Sequence, residues 1–423
     1  MTAEPSGPAL ARRLTTADAV VIGVGSMVGA GLFSAFAPAA RAAGALLLLS
    51  LGVAAIVAFC NAASSAQLAA QYPTSGGTYV YGRERLGPWW GFVAGWGFVI
   101  GKTASCAAMA LVLAAYLVPE PWQKAVAVAA VVTLAAVNYR GITRTARLTR
   151  LIVALVLVLL AVVLVAVAAA RPAAHPAAGM GAVGPGGVLQ GAAILFFAFA
   201  GYARIATLGE EVVDPARTIP RAILGAFAVV VPLYAVTGVL LLRTLGVDAL
   251  ASSPAPLRDA AATVTSGGWL QLVVVVAAAA ATLGALLALI AGVGRTALAM
   301  AREGDLPRPL AAVHPRYAVP HVAEVTVAVV VCALVLLTDL RSAIGFSSFG
   351  VLTYYAVANA AALTQQRPYR RYPRVVPVVG LLGCMVLAFA VPTTSLVAGV
   401  VVLAVGLLGR LVVRGRRQHR AAA

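Results

Sequence analysis

Lys102 and Arg204 fall inside long apolar runs, WGFVIGKTASCAAM and FFAFAGYARIATLGEE. Lys102 lies about 14 residues past Pro88, roughly 21 Å along a helix rising 1.5 Å per residue, too deep for its stem to snorkel easily to a membrane surface. Burial disfavours the charged ammonium, so a lysine at such depth is a candidate proton carrier; the alternative is a static cation held on helix-end carbonyls. Arg204 does not give up its proton. Its chemistry is that of a fixed charge, to be paired with Glu210 or Glu211. Asp214, Arg217, Arg295, Arg302, Glu303 and Asp305 cluster at the ends of apolar runs, where they read as ion pairs or as solvated turns.

Other chemistries lack their residues. His175, His314, His321 and His419 are scattered without metal-site spacing,. Cys60, Cys106, Cys332 and Cys384 all lie in apolar stretches with no CxxC pairing and read as small buried residues,. No Walker motif cradles a phosphate, and no in-membrane carboxylate pair suggests a hydrolase. The expectation is a non-enzyme with neither cofactor nor metal.

What the chain offers instead is backbone. Residues 20–33, VVIGVGSMVGAGLF, place Gly23, Gly25, Gly29 and Gly31 in the middle of an apolar run. Glycine costs about 1 kcal/mol against alanine inside a helix and lets the chain leave helical geometry. A break is therefore expected here. Broken backbone at membrane depth survives only in a cavity or wrapped in protein. Gly201 interrupts a second run in the same way. Close packing is the competing reading, since Gly25 and Gly29 form a GxxxG.

These breaks must be held by membrane-spanning helices. The 423 residues are 62% hydrophobic and 10% charged, with mean hydropathy +0.97, a composition of multi-spanning helical membrane proteins. The net charge of +18 does not point to nucleic acid, because the basic residues gather in alternate short loops. Arg12 and Arg13 before the first run resemble a secretory signal, yet a signal core has no need of four glycines, and a retained first helix is expected.

Twelve spans are predicted, at about 18–40, 44–69, 88–117, 122–138, 148–170, 188–210, 222–244, 269–300, 321–338, 342–364, 374–391 and 395–413,. About 23 Lys and Arg fall on one side against about 6 on the other, which makes the first side, with both termini, cytoplasmic. The tail 410–420 reads as a lipid-headgroup anchor. A Pro- and Gly-rich linker at 171–187 separates five spans from the rest, and each half then opens with a glycine-broken helix. That is the pattern of two inverted five-helix repeats with a ligand bound where the breaks meet. The resulting division is an N-terminal segment 1–17, a first repeat 18–170, the external linker 171–187, a second repeat 188–366, helices 11 and 12 at 367–413, and a basic tail 414–423.

Four stretches carry a resemblance. GVGSMVGAGLF, YPTSGGTYVYGRERLG (72–87), FFAFAGYARIATLGEEVVDPARTIPRAI (196–223) and ALAMAREGDLPRPLAAVHPRYAVPHVA (297–323) are similar in order and spacing to the amino acid–polyamine–organocation (APC) transporters. The resemblance implies an all-α LeuT-type fold, with discontinuous helices 1 and 6 and two added C-terminal helices. It also implies an amino acid substrate carried by alternating access. A zwitterion needs N–H groups at one end and carbonyls at the other, which two broken helices supply. By motif position, the N–H groups of Gly29, Ala30 and Gly31 take the carboxylate. Carbonyls of Met27, Phe197 and Ala200 take the ammonium, beside Gly201, and Ser26 adds a hydroxyl. Phe197 falls at an aromatic-gate position, with helix packing as its alternative, and Tyr202 is the other aromatic candidate. Glu210 and Glu211 match inner-mouth groups whose salt bridges open and close.

The chain also departs from the family. A lysine common midway along helix 5 in proton-coupled relatives is Val156 here, and an acidic residue after the helix 6 break is replaced by Ala203 and Arg204. Lys102 is left as the coupling candidate. The expectation is proton-linked uptake of a neutral amino acid across the cytoplasmic membrane. An exchanger of amino acids or polyamines is the alternative within the fold, and a non-transporting amino acid sensor the alternative outside it. The sequence leaves oligomeric state open.

Overall fold

Residues 14–73, 76–141, 146–170, 184–206, 208 and 211–422 are described by the computed structural model of the chain. The first apolar run is divided into α1 (Thr16–Met27), α2 (Ala30–Ser34) and α3 (Phe36–Ala43). There follow α4 (Leu47–Gln71), α5 (Thr78–Leu86), α6 (Pro88–Leu117), α7 (Gln123–Tyr139) and α8 (Ala146–Ala169). The second set begins with α9 (Pro185–Phe199), a 3-10 turn at Ala200–Tyr202 and the short α10 (Ala203–Ala206). It continues through α11 (Pro215–Ser252), α12 (Pro256–Val264), α13 (Trp269–Arg302), α14 (His321–Leu337), α15 (Leu340–Leu363), α16 (Val375–Ala390) and α17 (Thr393–Ala422).

Nine helical stretches among the described residues are long and apolar enough to cross a membrane; α7, α14 and α16 are shorter apolar helices of 17, 17 and 16 residues. Among the described residues the fold is all-helical, as suits an integral membrane protein. Helices satisfy their own backbone groups, as hydrocarbon demands. Pro88, Pro185, Pro215 and Pro256 open their helices, where a missing N–H costs nothing.

Several expectations are revised. The stretch 72–87, outside every predicted span, contains the helix α5, and α12 likewise has no counterpart among the predicted spans. Helix α11 starts before position 222 and continues through Gly246, whose φ of 73° kinks it. Arg410, read as a headgroup anchor, is buried: it lies 2.7 Å from Asp305, donates to the Pro88 carbonyl at 2.6 Å and stacks over Trp89 and Phe92. An unpaired guanidinium could have stayed in water, but Asp305 and two ring faces replace that hydration. Residues 1–13, the linker stretch 171–183 and Glu210 lie outside the described residues.

The outer surface is apolar. On α8, Leu151, Leu155, Val158 and Val165 are exposed while Val153, Val156, Leu160, Val163 and Val167 are buried. Spacings of three and four place these sets on opposite faces. Both faces are aliphatic, as expected where one meets lipid and the other meets protein. At the centre runs α6, buried along most of its length, carrying Lys102.

Candidate functional site

Helix α1 begins at Thr15, whose hydroxyl accepts from the Asp18 N–H at 3.3 Å while the Asp18 carboxylate accepts from the Thr15 N–H at 3.0 Å. This reciprocal cap satisfies two exposed donors, and Arg150 on α8 ties Asp18 down at 2.8 Å. The helix stops at Met27. Gly29, with φ −61° and ψ −137°, then caps α2. The leading N–H groups of α2, at Gly29, Ala30 and Gly31, have no carbonyl four residues back within their own helix.

The second break comes to meet the first. A Cβ placed on Gly201 would collide with the Ser26 carbonyl and stand 2.6 Å from the Met27 nitrogen. Only the absence of a side chain lets the two backbones touch. A Cβ on Gly31 would likewise stand 2.6 Å from the Cβ of Ala198 on α9 and overlap its backbone. Tyr234 of α11, fully buried, donates its hydroxyl to the Met27 carbonyl at 2.6 Å, with the Ala198 carbonyl at 3.0 Å from the same oxygen. One side chain therefore bridges both interrupted helices.

A cavity of about 940 Å³ reaches this meeting point. Ser26, Met27, Ala30, Gly31, Phe197, Ala200 and Gly201 all line it, with Phe98 and Met109 from α6 and Ala281 and Ala285 from α13. Val156 of α8 lines it too. The cavity continues to Arg295, Arg302 and Ala318, which are exposed at the end of the bundle rich in arginine. At the opposite end Tyr116 donates to the Phe33 carbonyl at 2.8 Å, its ring edge-on to Phe33. Above it Arg258 of α12 donates to the Ala115 carbonyl at 3.3 Å.

Lys102 and Arg204 both line the cavity. The Lys102 ammonium donates to the Ala200 carbonyl at 3.0 Å, and the Tyr355 hydroxyl lies 3.5 Å from the same oxygen. Arg204 stands 3.9 Å from Glu211. The backbone of Glu211 accepts from Leu14, and Val213 donates back to Leu14, so the approach to α1 is paired with the segment after α10.

The carbonyls assigned to the substrate ammonium already have donors: Met27 has Tyr234, Ala200 has Lys102, and Phe197 accepts from the Ala200 N–H. A carbonyl has two lone pairs, so a second donor fits. Ser26 donates its hydroxyl to the Ile22 carbonyl at 2.8 Å and keeps its acceptor capacity. Gly29 lies beside the cavity against Ala285. Tyr202 does not line it; the ring is fully buried and stacked on Tyr355 at 4.9 Å, facing the scaffold.

Sequence reasoning missed Tyr234 and Glu324. A lone tyrosine in an apolar run signals a buried hydroxyl in need of an acceptor. Glu324 of α14 is 3% exposed, lines the cavity, and has one carboxylate oxygen without a hydrogen-bond partner among the described residues. Arg295 is the charge that bears on it. Its signal was an acidic residue in the first turn of an apolar helix.

A family model described as amino acid permease matches residues 14–408. An uncharacterized transporter of Mycobacterium tuberculosis (strain H37Rv) is 59% identical, over 97% of this chain and 94% of its own length. The branched-chain amino acid permease BcaP of Bacillus subtilis is 26% identical over 94% of this chain and 92% of its own length. Cationic amino acid transporter 7, chloroplastic, of Arabidopsis thaliana is 27% identical over 88% and 67%. With two interrupted helices in contact beside a deep cavity and a family match across nearly its whole length, the chain belongs to the amino acid permeases of the APC superfamily and is a multi-pass membrane transporter.

Proposed function

We propose that the protein is a secondary transporter of neutral amino acids in the cytoplasmic membrane, working by alternating access with both termini cytoplasmic. Its twelve helices form two inverted five-helix repeats and a C-terminal pair. The α-carboxylate binds the leading N–H groups of α2, and the ammonium binds carbonyls at the ends of α1 and α9, so each end of the zwitterion meets the helix dipole of opposite sign. The observation that carries this reading is the packing of Gly201 on the Ser26–Met27 peptide, at a point that the cavity reaches.

The conformation fits an inward-facing carrier. The cavity ends among exposed residues on the arginine-rich side, while Phe33, Tyr116 and Arg258 lie across the other end. A neutral substrate is favoured by the lining near the breaks, where Phe98, Met109, Phe197, Ala281 and Ala285 are apolar. The acidic lining residues, Glu211 and Glu324, are accompanied by Lys102, Arg204, Arg295 and Arg302, a balance that repels a second positive charge. Proton coupling is assigned to Lys102, the cavity-lining residue that can release a proton next to the break. Uptake of radiolabelled amino acids by proteoliposomes, with and without an inward proton gradient, tests the reading. Uptake that responds to the gradient supports it; uptake indifferent to the gradient removes the coupling, and a Gly31→Val variant with unchanged affinity removes the carboxylate site.

A further inference from the structure

We propose that Lys102 is a built-in stand-in for the substrate's ammonium group: in the empty carrier its Nζ occupies the Ala200 carbonyl, and an arriving amino acid displaces it. This rests on the binding geometry given under Proposed function. It adds the order of events, the origin of the proton and the sign of the coupling: a proton displaced by the substrate crosses opposite to it, so the carrier exchanges one for the other.

The Ala200 carbonyl sits where the fifteen-residue helix α9 ends. That end carries the negative pole of the helix dipole, so it attracts any cation that can reach it. Lys102 reaches it at 3.0 Å from a neighbouring helix, and is itself only 6% exposed, on the cavity wall. The ammonium of a zwitterion anchored on α2 is directed to the same pole. Two ammonium groups on one carbonyl in a buried site repel each other strongly. Once neutral, the Lys102 amine yields the carbonyl without repelling the newcomer.

No carboxylate offsets this repulsion. Among the described residues none pairs with Lys102, and the titratable groups facing it are Cys106 on its own helix and Tyr355 on α15. The elements opposite, α2 and α13, bring Ala30, Gly31, Ala281 and Ala285 to the cavity there. Arg204, Glu211, Arg295 and Glu324 line other parts of the same cavity. Entry of a zwitterion therefore converts the Lys102 ammonium to the amine, its proton passes to water in the cavity, and the substrate ammonium takes over at Ala200. One proton leaves for each amino acid bound, and none when the ligand lacks an amino group. A simple carboxylate instead binds beside the charged Lys102, which then supplies the missing cation.

The test uses the purified full chain in detergent, the tightest-binding of the standard L-amino acids found by thermal shift, and that molecule with its α-amino group replaced by hydrogen. Calorimetry in phosphate and in Tris, which differ in ionisation enthalpy, counts protons. Wild type is expected to release up to one proton per amino acid and none with the des-amino analogue. Lys102→Met is expected to bind the amino acid without proton release and to lose the analogue at least tenfold. Lys102→Arg, which keeps a charge it cannot shed, is expected to bind the amino acid at least tenfold more weakly and to retain the analogue, and it serves if the methionine variant does not fold. Heats independent of buffer in wild type, or equal proton release from wild type and variants, overturn the displacement while leaving the amino acid site intact. Failure of every amino acid to bind wild type overturns the site itself, and the displacement with it.

Discussion

The hydroxyl of Tyr234 lies 2.6 Å from the Met27 carbonyl and 3.0 Å from the Ala198 carbonyl, so one phenol on α11 pins α1, the leading half of the first broken helix, to α9, the leading half of the second. Tyr234→Phe keeps the ring packing against Phe36 and Phe199 and removes only the donor. A buried acceptor left without its donor costs about 1–3 kcal/mol. The melting temperature in detergent should fall and substrate affinity should drop with it. A variant that melts and binds like wild type would show that the bridge contributes nothing.

Gly201→Ala is expected to weaken binding at least tenfold. Its methyl group meets backbone, the Ser26 carbonyl and the Met27 nitrogen, and backbone cannot rotate aside as a side chain can. The control is Gly52→Ala, an exposed position on α4 where an added Cβ meets nothing within 4 Å. There the change should be neutral or stabilise by up to about 1 kcal/mol through helix propensity. Equal behaviour of the two variants in a binding assay would separate the breaks from function.

Arg410 and Asp305 are 2% and 4% exposed and 2.7 Å apart, with Arg83 and the Tyr79 hydroxyl completing the carboxylate's shell at 3.2 and 2.9 Å. Removing Arg410 leaves the buried Asp305 with Arg83 and Tyr79 alone and uncovers the Trp89 and Phe92 ring faces, a loss of up to about 3 kcal/mol, the low end for a broken buried pair. Arg410→Ala should therefore lower thermal stability far more than Arg217→Ala. The Arg217–Asp214 pair is 75% and 49% exposed, and pairs of that kind contribute about 0–1 kcal/mol. Thermal unfolding of the two purified variants gives the comparison, and similar melting temperatures would contradict it.

Asp339, in the loop before α15, accepts from the Ser342 N–H at 2.9 Å and from its hydroxyl at 2.7 Å. Burial pushes the carboxyl upward, but these bonds and the backbone N–H of Arg341 outweigh it and hold the group below the ordinary carboxylate range. A depressed value in the folded state means stability that is present at neutral pH and lost as pH falls through the folded value. Asp339→Ala should cost about 1 kcal/mol at pH 7, as for a lost helix cap, and progressively less on acidification below the carboxylate range. Melting curves of both proteins across that interval check it; a constant gap would assign the effect to something other than the charge.

Much of the architecture was readable before any coordinates. Long apolar runs ended by Pro and Gly become helices because hydrocarbon leaves the backbone no other partner, and the predicted limits of α6, 88–117, match the observed helix. Glycines at 29, 31 and 201 marked the breaks because each removes the side chain that would forbid close approach. Short polar stretches were harder. The helix α5 carries Arg83, Glu84 and Arg85 and has no apolar run to announce it. Arg410 looked like a headgroup ligand because its partner Asp305 lies more than a hundred residues away.

By itself, then, the sequence determined that the chain is a helical membrane protein, where its long apolar runs lie, and that two of them are interrupted. Those are local properties, decided by side-chain size and by the lack of water in the bilayer. Only the tertiary structure decided which way each helix faces, because the exposed Leu155 and Val158 and the buried Val153 and Val156 are chemically alike, and periodicity cannot rank two apolar faces. It also decided that Lys102 reaches the Ala200 carbonyl, that Tyr202 turns toward Tyr355 and away from the cavity, and that Tyr234 spans both breaks. Each of these joins residues far apart in the chain, and a contact of that kind exists only once the helices have packed.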